Sequence, residues 1–338
     1  MARSHRAPCL RPGVSITFLE PFVPLFRNPH LQTIAGHYWP RPECSAPVEH
    51  RLVQTEPGVQ VLVHSQCPKV GQALSPANAR EASAPPVVLV HGLEGSSDAG
   101  YMRSLAAAAL SAGFTAHRFN LRTCGGTEHL CQTLYHAGLT TDLHAFLREL
   151  PAPAFLIGFS LGGNIVLKLA GELGSEAPAL IRGVCAVSTP LDLAACAARI
   201  AEPDNRLYEA RFVRRMRARL IATGRYKNQD FAGLRSVTAL DDRITAPSFG
   251  FQGARHYYET QSAIGYLTKI RVPTLLIQAK DDTFIPYRIY ESAAVHSNPA
   301  VHVHITDHGG HLGFVAKAPN RLWVDRAITK WITPATHS

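Results

Sequence analysis

The pentapeptide Gly158-Phe159-Ser160-Leu161-Gly162 sets a serine between glycines at minus two and plus two. Where a strand turns sharply into a helix, small residues at those places relieve crowding and leave the hydroxyl exposed. The apolar runs 154–157 and 165–170 supply that strand and that helix. Such a serine attacks an acyl carbon. The attack needs a base, an acid to orient the base, and donors for the oxygen that turns negative. His91-Gly92-Leu93-Glu94-Gly95 directly follows a second apolar run, 87–90. The backbone N–H groups of Leu93 and Leu161 are therefore the expected oxyanion hole.

The remaining partners arrive in the order acid, then histidine, after two later runs that read as strands. Residues 274–278 precede Ala279-Lys280-Asp281-Asp282-Thr283-Phe284-Ile285-Pro286, and 301–305 precede Thr306-Asp307-His308-Gly309-Gly310-His311. Asp282, four residues before Pro286, is preferred to Asp281 as the acid. His311 is preferred to His308, because two glycines let its loop turn the ring back toward Ser160. In this scheme His311 takes the serine proton, Asp282 holds the tautomer and the imidazolium, and water hydrolyses the acyl-enzyme. His302 and His304 would share a strand face with no acidic or cysteine partner at ligand spacing. Neither metal nor cofactor is expected.

These residues need a scaffold that brings strand ends together. Runs 51–55 and 59–64 read as a hairpin across Pro57-Gly58, and 67–86 reads as a surface loop rich in Pro, Ala and Ser. From residue 87 onward strands and helices alternate: strands at 87–90, 115–120, 154–158, 184–188, 274–278 and 301–305. Helices are expected at 102–112, 141–150, 161–173 and 321–332. That alternation implies a mostly parallel sheet with right-handed crossovers. The interval 190–273 breaks the rhythm and reads as a helical cap over the carboxyl ends of the strands. The organisation expected is an extension, 1–50, packing on a core of 51–189 and 274–338, with 190–273 inserted.

Composition narrows the classes. With 338 residues and 46% hydrophobic content, the chain can bury a large core. Its net charge of +9 is spread along the chain, apart from Arg211, Arg214, Arg215, Arg217 and Arg219. With no zinc-finger or RNP-type pattern beside them, a solvated helix face is expected and nucleic acid is not. A lipid hypothesis also follows, with the run resting on an anionic membrane surface. Seven cysteines occur singly, which argues against a disulfide framework or zinc site. The apolar stretch 14–26 is interrupted by Glu20, Pro21 and Pro24, and no small-residue cleavage site follows. A cytoplasmic protein is expected.

Beyond these residues, the chain resembles the YheT-like α/β-hydrolases, also called AB hydrolase family 4, over nearly its whole length. The resemblance rests on Asn28-Pro29-His30-Leu31-Gln32-Thr33, His91-Gly92-Leu93-Glu94-Gly95-Ser96-Ser97 and Asn120-Leu121-Arg122-Thr123-Cys124-Gly125-Gly126. Tyr135-His136-Ala137-Gly138, Gly158 to Asn164 and His308 to Phe314 complete it. The family pattern has Arg-Gly-Cys-Ser-Gly where this chain reads Arg122-Thr123-Cys124-Gly125-Gly126. The resemblance implies an α/β-hydrolase fold with a helical cap. It also implies a triad of Ser160, Asp282 and His311, and short- to medium-chain acyl esters, monoacylglycerols included, as substrates. Arg122, Tyr135, Asp142 and 28–33 are expected to support the site structurally. An acyltransferase or thioesterase would use the same triad. A ligand-binding relative would lack one of its members, and a dehalogenase would need aspartate at position 160. The aromatics Tyr208, Phe212, Tyr226, Phe231, Phe249, Phe251, Tyr257, Tyr258 and Tyr266 suit either an acyl-chain lining or the cap's own core.

Overall fold

The computed structural model describes residues 19–42, 44–68, 84–319 and 321–333. Most of the expected loop 67–86, the beginning of the stretch 14–26, and Cys9 lie outside these residues. The elements are α1 (Pro29–Tyr38), β1 (Glu49–Glu56), β2 (Val59–Gln66), β3 (Pro86–Val90), α2 (Gly100–Ser111), β4 (Thr115–Phe119), α3 (Thr141–Leu147), β5 (Ala154–Phe159), α4 (Leu161–Leu173) and β6 (Ile181–Val187). Between β6 and the next strand come α5 (Leu193–Ile200), α6 (Arg206–Ala222), α7 (Val237–Leu240), α8 (Ala246–Ser248) and α9 (Ala254–Gln261). Then follow β7 (Thr274–Ala279), α10 (Ala293–His296), β8 (Val301–Thr306) and α11 (Trp323–Ile332).

The eight strands form one sheet in the order β1-β2-β4-β3-β5-β6-β7-β8. β1 pairs with β2 and β2 with β4 antiparallel; every other pair is parallel. A parallel sheet covered on both faces must be apolar on both, and side chains alternate between the faces. Val88, Val90, Leu156, Val184 and Leu276 accordingly pack on one side with Phe146, Ile165 and Leu169. Val87, Leu89, Ile157, Cys185 and Ile277 pack on the other with Leu105, Val324 and Ile328.

Helix α3 is shorter than expected, ending at Leu147 instead of 150. Glu149 and Leu150 close i→i−3 bonds to Phe146 and Leu147, and Pro151 disfavours helical backbone at the residue before it. α11 begins two residues later than expected, because Leu322 bridges to Val315. The stretch between β6 and β7 carries a core of its own, in which Val213, Met216, Leu220, Phe231, Leu240 and Ile244 pack with Leu134. No described helix is long and apolar enough to cross a membrane. Among the described residues no cluster of three or more His, Cys, Asp or Glu side chains could hold a metal ion.

Candidate active site

Ser160 stands between β5 and α4 at φ 52° and ψ −122°. This is a strained backbone region for a side-chain-bearing residue, costing about 1–3 kcal/mol. The turn is held because Ser160 N donates to Val187 O at 2.9 Å and Gly163 N donates to Ser160 O at 2.9 Å. The two flanking glycines are required by contact. A Cβ on Gly158 would lie 2.4 Å from Gly162 O, and one on Gly162 would lie 2.3 Å from Val90 O. The turn therefore rests directly on the end of β3, next to the loop that carries Leu93. Since backbone atoms cannot yield as a side chain would, Gly162→Ala is expected to destabilise the protein by about 1–3 kcal/mol. Urea unfolding should show this as a lower midpoint with an unchanged slope.

His311, in the loop after β8, meets Ser160, which follows β5 three strands along the same sheet. Its Nε2 is 3.0 Å from Ser160 Oγ, and its Nδ1 is 3.1 Å from both oxygens of Asp282. A carboxylate only accepts, so Nδ1 carries the ring proton and Nε2 is left to accept from the serine. Asp282 is fixed in turn by the N–H groups of Phe284 and Ile285, which donate to its Oδ1 at 2.9 and 3.1 Å. The neighbouring pair does different work. Asp281 accepts from the Gly310 N–H at 2.9 Å and pairs with His308 Nδ1 at 3.1 Å, fastening the loop that presents His311.

The N-terminal motif 28–33 lies beneath this loop. His311 N donates to Thr33 Oγ1 at 2.9 Å, which donates onward to Pro29 O at 2.7 Å. Gln32 Nε2 donates to Val315 O at 2.7 Å. Gly310 has φ +56°, and a Cβ there would lie 2.5 Å from Pro29 O. Sequence reasoning assigned this segment only general support. Nothing in its residue types points to histidine-loop binding, because the contact spans 278 residues of chain.

On the other side of Ser160, His91 is fully enclosed. It accepts from Leu121 N at Nε2 (3.1 Å) and holds Gly92 O at Nδ1 (2.8 Å). Burial pushes its pKa down to about 4, so the ring is a neutral brace. Gly95 N donates to Gly92 O at 3.0 Å, closing a turn with Leu93 and Glu94 at its centre. The N–H groups of Leu93 and Leu161 make no hydrogen bond to another described residue. Arg122 and Asp142, buried and doubly hydrogen-bonded at 2.6 and 2.7 Å, tie the loop after β4 to α3.

Ser160, Leu93 and Leu161 open onto one cavity, with an empty volume of about 760 Å³ including its solvent-open side. Its walls are largely apolar, built from Ile200, Phe212, Met216, Tyr257, Phe284 and Ile285 among others. Of the aromatics weighed as acyl-chain lining, only Phe212, Tyr257 and Tyr258 reach it. Phe231 and Tyr226 pack in the core of the helical segment. Phe284, two residues after Asp282 and outside that set, contributes a wall. Its ring lies 4.6 Å from that of His311. Polar groups also face the cavity. Burial pushes His136 down to about 3 and Asp241 up to about 6, and Tyr258 OH donates to Asp241 at 2.7 Å. The expectation of a solvated arginine face on α6 is corrected: Arg211 and Arg217 are half-buried, Arg217 lying 5.3 Å from the centre of the Phe231 ring, and Arg219 turns inward. Arg214 and Arg215 are exposed, but Arg219 shares the inward face with Phe212 and Met216 and is buried against Glu94 at 2.9 Å.

Residues 85–318 match the family described as alpha/beta hydrolase fold. YheT of Escherichia coli is 31% identical over 328 residues, 92% of this chain and 93% of that protein. The medium-chain fatty acid ethyl ester synthase/esterase 2 of Saccharomyces cerevisiae is 30% identical over 75% of this chain and 63% of its own. Among solved structures, an esterase of Pyrococcus furiosus superposes with a TM-score of 0.55 at 18% identity, covering 87% of this chain and 99% of that one. That last likeness concerns the fold alone.

Proposed function

The chain belongs to the α/β-hydrolase family and within it to the YheT-like group, and from that membership we propose that it is a serine hydrolase of carboxylic esters. The observation that carries the reading is the continuous line of hydrogen bonds from Ser160 through His311 to Asp282. His311 Nε2 accepts the serine proton as Oγ bonds to the acyl carbon. The carbonyl oxygen becomes negative between the Leu93 and Leu161 N–H groups. Collapse breaks the ester bond, and His311 gives its proton to the leaving alkoxide. Water, losing a proton to His311, then attacks the acyl-enzyme and releases the acid and the free serine.

The apolar cavity suits an acyl chain of short to medium length, monoacylglycerols included. The purified protein assayed on p-nitrophenyl esters from acetate to palmitate should show an optimum within that series. A fluorophosphonate probe should label the peptide containing Ser160. No turnover together with no labelling would overturn the proposal. A second reading has the acyl group passed to an alcohol, since one relative is named for both ester synthesis and esterase activity. Ethyl ester formation from a medium-chain acyl thioester in the presence of ethanol would favour it.

The proposal extends to an anionic membrane surface as a partner. Leu31, Ile34 and Tyr38 lie exposed along one face of α1, Leu207 is exposed at the start of α6, and Arg211 touches both His37 and Tyr38. Apolar side chains flanked by the exposed Arg214 and Arg215 suit an anionic lipid surface, at about 1 kcal/mol per basic residue. The Arg214→Ala/Arg215→Ala variant should bind phosphatidylserine vesicles about thirtyfold more weakly in sedimentation. Equal pelleting of both proteins would sink the membrane contact.

A further inference from the structure

The turn 92–95 carries an anomaly. Its third residue, Glu94, has φ +54°, a conformation that glycine adopts freely and other residues adopt at a cost. The adjacent loop repeats it, for Thr123 has φ +61° although it is β-branched. Both side chains end on the same partner. Arg219 of α6 donates from Nε to Glu94 Oε1 at 2.9 Å and from Nη1 to Thr123 Oγ1 at 2.8 Å. Its guanidinium lies 4.5 Å from the centre of the Tyr135 ring. The Tyr135 hydroxyl accepts from Glu94 N at 3.1 Å and donates to Glu94 Oε1 at 3.1 Å.

Glu94 is therefore held through its backbone and its carboxylate, directly beside Leu93. A glycine at position 94 would make this turn without strain. What the glutamate adds is its link to Arg219 and Tyr135. Thr123 stands where the family pattern has glycine, and its hydroxyl likewise serves as an acceptor for Arg219. Burial opposes the charge on Arg219, but the Glu94 carboxylate more than restores it, raising the pKa above the ordinary arginine value. The pair is thus a buried ion pair, not a surface contact, and losing one partner would leave the other uncompensated.

We propose that Arg219 is a positioning residue for acyl-oxygen stabilisation, locking the turn 92–95 so that the Leu93 N–H stays at the cavity beside Ser160. The proposal rests on the serine-hydrolase reading. It also makes the oxyanion site depend on α6, an element outside the sheet. Preorganised donors lower the barrier only when they stand where the negative oxygen forms. Loosening the turn should therefore slow chemistry more than it weakens substrate binding.

The test compares wild type with Arg219→Lys and Glu94→Gln, singly and together. Each single variant is expected to lose about tenfold to a hundredfold in kcat with KM changed less than about twofold. Affinity for an alkyl trifluoromethyl ketone, which adds to Ser160 as a tetrahedral oxyanion, should fall by the same factor as kcat. The double variant should be no worse than the weaker single one, since both remove one linkage. Arg219 also lines the cavity. A raised KM at unchanged kcat would therefore assign it to substrate contact and overturn the proposal, as would unchanged ketone affinity. If fluorophosphonate labels wild-type Ser160 while the variants keep full kcat, only the positioning role fails. If wild type is neither labelled nor active, the underlying reading fails with it.

Discussion

Ser160→Ala is expected to reduce kcat for p-nitrophenyl ester hydrolysis by about 10⁵- to 10⁶-fold, with the folded protein intact. In serine proteases, removal of the nucleophile costs about that much, and the residual rate comes from the remaining binding groups and oxyanion donors. The comparison is clean here for a structural reason. Alanine keeps the Cβ and inherits the same backbone angles at φ 52°, so the strain of the turn is unchanged. Only the hydrogen bond to His311 is lost. The melting temperature should move by no more than a few degrees. A variant retaining even one hundredth of the wild-type rate would place the nucleophile elsewhere.

The second large effect separates two adjacent aspartates. Asp282→Asn should lower kcat by about 10⁴-fold, because an amide facing His311 Nδ1 no longer demands a proton there and permits the wrong tautomer. Asp281→Asn should cost less than about tenfold. Its Oδ1 still accepts from the Gly310 N–H, and the contact it weakens is to the partly exposed His308, where ion pairs are worth about 0–1 kcal/mol. Steady-state kinetics on one ester would decide between them. Equal losses from both substitutions would mean that the acid acts mainly by holding the loop, and the tautomer argument would fall.

The aspartates also illustrate how far residue types reach. Placing the acid four residues before Pro286 selected Asp282, the residue that His311 meets at 3.1 Å. No local feature indicates that Asp281 would grip the histidine loop through Gly310 and His308, because that requires β7 and β8 to be neighbours. The arginine run of α6 is a parallel case. Composition treats its five members alike, whereas the helix turns Arg219 inward and leaves Arg214 and Arg215 in solvent. Thr33 is a third example, a plain helical threonine whose hydroxyl receives the His311 N–H only after the chain has closed on itself.

What the amino-acid order determined by itself was whatever depends on neighbours along the chain. Short strand-like runs became β3, β5, β7 and β8, and each site residue follows one of them at a strand end. Gly158 and Gly162 marked a turn that only small residues permit, and Gly174 marked the end of α4 at φ +49°. The tertiary structure alone decided which groups meet across the sheet. It fastened Asp281 to the histidine loop, set the N-terminal helix under His311, and turned Arg219 inward against Glu94. The reason is physical: backbone preferences and burial patterns are properties of short stretches. A hydrogen bond between residues 27 to 278 positions apart is settled by the packing of the elements between them.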